Sequence, residues 1–461
     1  MLEAGTYDDG RPDVPGGVTG PVERVVVVGA GIAGLTVANA LAHAGVACVV
    51  VEARDRVGGR LHTIDLAGGP VDMGGSWIHH PIGNPMRAFA DQAGVACRDG
   101  DPLPEMAAFD FGESRRLSPE EVRAELSTLY EAFPAAIGRL QHELGPDASA
   151  AAGIDAFVEG ADLPPVAARR ARQGLRALIE GESADLSERQ SLRWMWNERE
   201  YEGGFFGDLP SGGYRSLVQA MADGADVRLN FDVAEIAVGT DGVNVRSAAG
   251  PAEDGSHVVV TVPLGVLKDR RPQFSPALPP DRLAAIDRLG FGRFEKVVLT
   301  FDQAFWRAAG LPHLMLFPRD PDESTMWVIG LDAFDAGPTL VCFVFHGVAD
   351  RVLDATPDDA ADWVCGMLTE VVGAPCPEPT AVAVTSWATD PYSLGAYSHI
   401  PPGAAPADAD LLGEPLHGRL LFAGEHTQSA RLVYTDGAMA SGVREAKRLL
   451  RRAHVNLGRR G

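Results

Sequence analysis

The feature that most constrains this 461-residue chain is a β-branched run that leads directly into three spaced glycines. Arg24–Val28 reads RVVVV, Gly29, Gly31 and Gly34 follow at once, and residues 35–44 have the composition of a helix. Strand, tight turn and helix in this order form the first half of a dinucleotide-binding unit. In such a unit the first glycine permits the turn, the second admits a pyrophosphate to the backbone, and the third lets the helix pack on the strand.

A second strand and an acidic residue extend this unit. Residues 47–51 read ACVVV and end at Glu52, roughly twenty residues after the glycines. A carboxylate at this point accepts hydrogen bonds from both hydroxyls of an adenosine ribose and repels a 2′-phosphate. The sequence therefore predicts a Rossmann-type site for FAD or NAD. It contains no second motif of this kind, which argues against a reductase that also binds NADPH.

Composition excludes several classes of protein. Hydrophobic residues make up 46% and charged residues 22% of the chain, as in ordinary globular proteins, and no apolar run is long enough for a membrane helix. A formal charge of −23 disfavours binding to nucleic acid. Five cysteines without a C-x-x-C pair fit a reducing compartment, and no metal-site spacing occurs. We expect a cytoplasmic protein that binds no metal, membrane or nucleic acid.

Two further segments narrow the choice of dinucleotide. Residues 53–60 read ARDRVGGR, and residues 72–77 read DMGGSW. The guanidinium groups of Arg54 and Arg60 are suited to binding phosphate, and paired glycines let the backbone approach a cofactor closely. Here the sequence resembles the flavin-containing amine oxidase family, which includes monoamine oxidases, polyamine oxidases and the flavin histone demethylases. In that family an E-A-x-x-R-x-G-G-R segment wraps the FAD pyrophosphate, and a G-G/A-x-W segment lines the flavin.

The resemblance runs in separated blocks from Val22 to about Arg452. It implies an α/β fold in which a Rossmann-type FAD-binding domain is interleaved with an α+β substrate-binding domain. We expect the FAD-binding domain to comprise residues 22–85, 210–289 and 406–454. The substrate domain is expected to have a helical part, 86–209, and a sheet part, 290–405. Residues 1–21 and 455–461 are expected to be a flexible leader and a tail.

The resemblance also implies which residues contact the cofactor. Matched motif by motif, they are Gly29, Gly31, Ile32, Ala33, Gly34, Glu52, Ala53, Arg54, Gly59, Arg60, Gly74, Gly75, Ser76, Trp77, Val233, Trp387, Gly424, Glu425 and Thr435. Val233 is expected to meet the adenine through its backbone. Thr435 opens a helix whose N–H groups and dipole favour negative charge on the flavin pyrimidine.

Lys296 is the leading catalytic candidate. Residues 295–301 read EKVVLTF and are followed by Phe305 and Trp306. This segment resembles the K-x-x-L-x-F…F-W block in which the family's active-site lysine hydrogen-bonds a water at flavin N5. A lysine that begins an apolar strand is otherwise an ordinary solvated strand end, and the match to the block favours the catalytic interpretation.

Tyr397 and Tyr434 match the two aromatic residues that flank the amine in many family members. Two facing rings favour an amine through their quadrupoles and restrict its approach to the flavin; core packing is the alternative role for each. Ala396 stands where the covalently flavinylated monoamine oxidases place a cysteine. The resemblance therefore implies non-covalent FAD.

The segment that contains Trp77 and His79 is most similar to the polyamine oxidase branch. Residues 77–81 read WIHHP, and that branch often carries W-[IVL]-[HE]-G at this point. His79, with Trp77, is expected to line the substrate tunnel. His80 departs from the usual glycine and argues against a linear polyamine. Relatives that oxidise amino acids place a carboxylate-binding arginine in this segment, where the nearest equivalent here is Trp77, so an amino-acid substrate is disfavoured but stays an alternative.

These features predict an FAD-dependent amine oxidase. It would transfer a hydride from the carbon beside a substrate nitrogen to flavin N5, giving an imine that water hydrolyses to an aldehyde and a smaller amine. O2 would reoxidise the flavin and yield H2O2, so a small-molecule amine and O2 are the expected partners. The alternatives are an amino-acid oxidase or biosynthetic tailoring oxidase on the same fold, and a non-catalytic FAD-bound scaffold.

Overall fold

The computed structural model describes residues 17–67, 69–196, 201–334 and 336–457, without the side chains of residues 127, 128 and 454–457. Most of the predicted leader and the last residues of the predicted tail lie outside these ranges. Within them, no helix is long and apolar enough to cross a membrane, and no group of His, Cys, Asp and Glu side chains has the arrangement of a metal site.

Strands and helices are numbered here in chain order. The strands are β1 (Arg24–Val28), β2 (Ala47–Val51), β3 (Thr63–Leu66), β4 (Gly69–Asp72), β5 (Cys97–Asp99), β6 (Met106–Asp110), β7 (Arg115–Leu117), β8 (Asp208–Pro210), β9 (Val227–Arg228), β10 (Val233–Val238), β11 (Val243–Ser247), β12 (Ala252–Gly255), β13 (His257–Val260), β14 (Gln273–Ser275), β15 (Gly290–Phe291), β16 (Phe294–Thr300), β17 (His313–Phe317), β18 (Met326–Gly330), β19 (Thr339–Phe345), β20 (Ala381–Val384), β21 (Ser398–His399) and β22 (Leu420–Phe422). The α-helices are α1 (Ile32–His43), α2 (Pro85–Gln92), α3 (Pro119–Leu144), α4 (Ala150–Gly160), α5 (Pro165–Ser183), α6 (Arg215–Ala222), α7 (Leu264–Lys268), α8 (Pro280–Arg288), α9 (Phe305–Ala308), α10 (His346–Leu353), α11 (Pro357–Val372), α12 (Pro406–Leu412) and α13 (Thr435–Leu457).

A parallel sheet carries the predicted dinucleotide unit. Its five strands lie in the order β22-β13-β1-β2-β9, and every pairing is parallel. Valines of β1, β2 and β13 are buried, as expected for strands covered on both faces. Helix α1 leaves β1 through the glycine turn and packs along α13, the helix that follows the last strand. The predicted strand, turn and helix are therefore confirmed.

A second sheet of seven strands lies in the order β20-β16-β19-β18-β17-β6-β7. Its pairings are antiparallel except for β6, which runs parallel to β17. Strand β6 lies within residues 86–209, which the sequence pattern predicts as mostly helical. Helices α3, α4 and α5 lie in this segment, and β6 departs from the helical pattern because pairing with β17, about two hundred residues later in the chain, places these apolar residues in the sheet.

Other local predictions have mixed outcomes. Apolar residues at helical spacing predict helices over residues 119–144, 165–180 and 357–372, and α3, α5 and α11 form there. The alternating pattern of residues 227–236 predicts one strand, but the structure has two, β9 and β10, which belong to different sheets. The proline and alanine content of residues 401–410 predicts a loop, but the segment contains the start of α12.

The two large sheets draw on different parts of the chain. The parallel sheet uses strands from the segments assigned to the FAD-binding domain, and the seven-stranded sheet uses strands from those assigned to the substrate domain. Helices α3, α4 and α5 enclose an apolar cluster of their own. The exact domain boundaries stay a prediction. This arrangement leaves one long cavity whose walls come from both sheets.

Candidate active site

The long cavity starts at the glycine turn and extends to the seven-stranded sheet. At one end its walls come from Val28 and Val51, the last residues of β1 and β2. At the other end they come from Lys296 on β16 and from Phe343 and Phe345 on β19. The carboxyl ends of parallel strands are where ligands bind in open α/β sheets. The cavity therefore continues such a ligand site into the second sheet.

The three glycines of the turn differ in their geometry. Gly29 has a φ of +106°, which a side chain would strain. A Cβ placed on Gly34 would lie 2.0 Å from the carbonyl oxygen of Gly29, so helix and turn meet without space for a side chain. A Cβ on Gly31 would meet no atom within 4 Å, because this residue faces the cavity. Of all predicted site residues, Gly34 is the one that does not line the cavity.

Glu52 lies at the carboxyl end of β2, where its buried carboxylate lines the cavity. One oxygen accepts a 2.7 Å hydrogen bond from the backbone N–H of Ala30, and the other accepts a 2.9 Å bond from that of Arg54. Glu52 therefore links the glycine turn to the segment that follows β2. Two lone-pair positions remain on a carboxylate that accepts two bonds, so it can still accept from ribose hydroxyls.

The two predicted phosphate-binding arginines are held by acidic residues. The Arg54 guanidinium makes a two-pronged ion pair with Asp390, at 2.7 and 2.8 Å. Arg60 donates 2.6 Å to the carbonyl oxygen of Ala396 and 3.1 Å to Glu425. Both arginines line the cavity, so the ion pairs fix their orientation along its wall. Their contact with phosphate stays a prediction.

Lys296 is buried, with 2% of its surface exposed, and is not a solvated strand end. Its ammonium nitrogen donates to the carbonyl oxygens of Asp72 and Gly74, at 2.8 and 2.6 Å, and to the Ser76 hydroxyl at 2.7 Å. These acceptors match the three donors of an ammonium group. Burial lowers the pKa of Lys296 to about 8, and the negative charge of Asp72 opposes this shift. The lysine can therefore exchange a proton near neutral pH.

The carboxylate of Glu295, next to Lys296 on β16, supports another wall of the cavity. This residue is fully buried and accepts hydrogen bonds from the Thr385 hydroxyl and from the backbone N–H groups of Trp387 and Ala388, the last two at 2.9 and 2.8 Å. The Trp387 indole N–H in turn donates 3.0 Å to the carbonyl oxygen of Met73. Burial raises the pKa of Glu295, and these three donors counteract it. Glu295 thus fixes Trp387 beside the 72–76 segment.

Glu425 and Thr435, near the carboxyl end of the chain, also line the cavity. The Glu425 carboxylate accepts from the Ser398 hydroxyl and from the backbone N–H of Val433. Burial alone would raise the pKa of Glu425, but the charge of Arg60 and these contacts hold it below its ordinary value. Thr435 begins α13, as predicted, and its hydroxyl lies 3.1 Å from the hydroxyl of the buried Tyr214.

Aromatic residues line the end of the cavity at the seven-stranded sheet. Tyr397 donates a 2.5 Å hydrogen bond from its hydroxyl to the carbonyl oxygen of Gly181, and burial raises the pKa of this phenol. His79 packs against Tyr434, with ring centroids 5.4 Å apart. Burial lowers the pKa of His79 to about 4, so its imidazole is neutral at pH 7. The other aromatic residues on this part of the wall are Trp77, Phe205, Phe206, Phe294, Trp327, Phe343 and Phe345.

Two charged residues at the aromatic end of the cavity are not predicted by any sequence motif. Glu182, in the last turn of α5, lines the cavity, and its carboxylate accepts a hydrogen bond from the Trp196 indole. Arg431 lies beneath the Tyr434 ring, 3.8 Å from its centroid, and forms a buried ion pair with Asp436. Neither belongs to a recognisable spacing. Glu295 is a third residue that the motifs miss, and it does have a signal in the sequence. It is a charged residue in an otherwise apolar strand, and such a residue is buried only when it has partners.

The cavity residues fit an extended flavin dinucleotide. Gly31 leaves open space in front of the backbone at the start of α1, where N–H groups are available to phosphate. Glu52 and Val233 both line the cavity, where the adenosine end of the cofactor is expected. At the far end, Trp387, the 74–77 segment and Lys296 form a surface suited to a flat ring system.

Comparison with known proteins gives a consistent result. The profile of the family described as flavin containing amine oxidoreductase matches residues 32–450. A lysine-specific histone demethylase 1 homolog 3 from Oryza sativa subsp. indica is 33% identical over 94% of this chain and 54% of its own length. The protein FLOWERING LOCUS D from Arabidopsis thaliana is 32% identical over 93% of this chain and 55% of its own length. The chain thus spans about half the length of these relatives.

A solved structure shares the fold. It is a putrescine oxidase double mutant made in a structure-based redesign of cofactor binding, and it superposes with a TM-score of 0.76. The alignment covers 94% of this chain and all of that one, at 21% identity. This likeness confirms the expected α/β fold with a parallel sheet.

Proposed function

Because the chain belongs to the family of flavin-containing amine oxidoreductases and binds FAD, we propose that it is an FAD-dependent oxidase of a small-molecule amine. When bound, FAD accepts a hydride from the carbon beside the substrate nitrogen and passes the electrons to O2. The net reaction consumes amine, O2 and water, and it yields a carbonyl compound, a smaller amine and H2O2. Lys296 carries the proposal. It is buried where the predicted flavin segment, residues 72–77, meets the aromatic slot, the part of the cavity lined by Tyr397 and Tyr434.

The slot supports the amine as substrate. Tyr397 is fixed through its hydroxyl to Gly181, and Tyr434 is fixed by Arg431 beneath its ring, so both rings are held in place before a substrate arrives. Preorganised walls reduce the cost of orienting a substrate. Glu182 adds a carboxylate to this end of the cavity, and its oxygens can accept a hydrogen bond from an amine N–H.

Lys296 supports the movement of protons in the same place. The ammonium group is held by Asp72, Gly74 and Ser76, and a pKa of about 8 lets it act as donor or acceptor at physiological pH. Reduction of O2 to H2O2 by a reduced flavin requires a proton, and imine hydrolysis requires a positioned water. Lys296 is the buried group that we assign to these tasks.

A second candidate function follows from the relatives. Several of them are named lysine-specific histone demethylases, and they match over more than nine-tenths of this chain. A methylated lysine side chain is itself an amine, and loss of hydride from its methyl carbon followed by hydrolysis gives formaldehyde. The chemistry at Lys296 would be unchanged, but the substrate would be a protein segment.

An anaerobic substrate screen tests both candidates. FAD-loaded protein is mixed with monoamines, polyamines, L-amino acids and a peptide that carries Nε-methyl-lysine, and bleaching of the flavin absorbance is followed. We expect a small amine to bleach the flavin, and admission of air to produce one H2O2 per carbonyl product. Bleaching by the peptide alone, with formaldehyde released, selects the demethylase. If no class bleaches a fully loaded flavin, the protein is a non-catalytic FAD scaffold and the proposal is wrong.

A further inference from the structure

Arg431 is a buried cation directly behind a wall of the active-site cavity. Its guanidinium carbon lies 3.8 Å from the centroid of the Tyr434 ring and 5.1 Å from that of Tyr201. Only 4% of its side chain is exposed. Arg431 itself is absent from the cavity wall, whereas Tyr434 lines it. Tyr434 is therefore the contact between the buried guanidinium and the cavity wall.

The position of Arg431 is fixed from below. It makes a two-pronged ion pair with Asp436, at 2.6 and 3.0 Å, and Asp436 lies in the first turn of α13, where the helix dipole favours a carboxylate. The Asn84 side-chain amide lies 3.5 Å from the same carboxylate and donates 2.7 Å to the carbonyl oxygen of His79. Asp436, Arg431, Tyr434 and His79 thus form one connected packing unit.

An aromatic ring attracts cations through the negative charge on its faces. A guanidinium stacked on one face repels a second cation on the other face and so weakens this attraction. We propose that Arg431 is a specificity-determining residue that weakens the attraction of Tyr434 for an ammonium group, so that the slot selects the neutral form of the amine. The inference rests on the proposed function, because Tyr434 must face the substrate. It deepens that function, since hydride loss needs the lone pair that only the neutral nitrogen carries.

Two inert probes of equal shape test the inference on the FAD-loaded protein. Choline carries a trimethylammonium group, and 3,3-dimethylbutan-1-ol carries a neutral tert-butyl group in its place. Each is titrated into the oxidised protein while the flavin spectrum is followed, and the ratio of the two affinities is the measured quantity. Neither probe has an amine lone pair, so the ratio reports binding without turnover.

The variant is Arg431→Gln combined with Asp436→Asn, which leaves the net charge unchanged and strands no buried charge. We expect the ratio to shift about five- to thirtyfold toward choline, the range of one cation–π contact. Arg293→Gln with Asp350→Asn, an exposed ion pair, is the matched control and should keep the wild-type ratio. An unchanged ratio in the Arg431 variant, with FAD content retained, overturns the inference.

Tyr434→Leu keeps the inference falsifiable if the double variant does not fold. Because Arg431 lies behind the Tyr434 ring, removal of the ring should change the ratio by less than about twofold. A tenfold loss of choline affinity relative to the alcohol would show that the ring attracts cations, and the inference would fail. A flavin spectrum that neither probe perturbs also overturns it, because Tyr434 would then not face a ligand site. An enzyme that shows the expected ratios but oxidises no amine would disprove the proposed function alone.

Discussion

Lys296 donates a 2.7 Å hydrogen bond to the hydroxyl of Ser76. Ser76 belongs to the predicted flavin segment, residues 72–77, whereas Lys296 lies on β16 of the seven-stranded sheet. The two residues are 220 positions apart in the chain. Ser76 also lines the cavity, and its hydroxyl both accepts from Lys296 and donates to the carbonyl oxygen of Gly74, at 3.3 Å. This contact joins the FAD-binding and substrate-binding parts of the chain at the proposed reaction centre.

Lys296→Met should slow amine-driven flavin reduction or reoxidation by O2 about ten- to a thousandfold, the scale of one positioned catalytic group. The change keeps the length of the side chain and removes its polar head, so FAD should stay bound. Stopped-flow traces of both half-reactions check this. Lys268→Met, at a half-buried residue outside the cavity lining that bonds to the Asp287 carbonyl, is the control. Wild-type rates in both half-reactions would remove Lys296 from the mechanism.

Ser76→Ala should lower the pH at which Lys296 titrates. In the wild type, burial has already lowered the pKa of Lys296 to about 8, so its ammonium form is lost as the pH rises through that value. Removal of an acceptor that stabilises the ammonium shifts this transition down by about one unit. Ser76→Thr keeps the hydroxyl and should titrate like the wild type. The pH profile of the half-reactions reports the shift, and identical profiles for Ala and Thr would contradict it.

Glu52→Gln should weaken FAD binding by about 1–3 kcal/mol, the usual cost of losing a charged hydrogen-bond partner. The carboxylate holds the N–H groups of Ala30 and Arg54 as well as facing the cavity, so both the turn and the ribose site are affected. Titration of the apoprotein with FAD measures the effect. Glu143→Gln, at an exposed position on α3, should bind FAD as the wild type does. Unchanged affinity in Glu52→Gln would exclude the ribose role.

All FAD should leave the protein on acid precipitation. Ala396 lines the cavity next to Tyr397 and has no thiol that could form a covalent link. The supernatant should therefore contain one FAD per protein chain loaded, and the pellet should be colourless. Yellow colour that stays in the pellet after washing would show that another residue binds the flavin covalently.

Tyr397→Ala should lower the rate of flavin reduction more than the FAD content. The ring orients the substrate, whereas its hydroxyl bonds to Gly181, outside the glycine turn that holds the cofactor. Tyr397→Phe removes that hydrogen bond and keeps the ring, so it separates the two contributions. Rapid-mixing kinetics and the ratio of flavin to protein absorbance give both quantities. An equal loss of rate and FAD would assign Tyr397 to packing.

The dinucleotide unit can be predicted from the sequence, because its glycines and valines act through local geometry. Gly29 adopts a positive φ, Gly34 leaves no space for a side chain, and the buried strands follow from valine content. The family motifs likewise placed Lys296 and Tyr434 on one cavity wall. A resemblance can do this because the motif residues keep the same positions relative to the strands and helices that carry them.

The surroundings of these residues depend on the three-dimensional fold. The sequence does not show that Lys296 bonds to Ser76, that Glu295 holds Trp387, or that Arg431 lies beneath Tyr434. Such contacts depend on how distant segments approach one another, which no periodicity records. The same reason explains why the sequence does not predict β6: its partner β17 lies far along the chain, and a pairing over that distance leaves no local pattern.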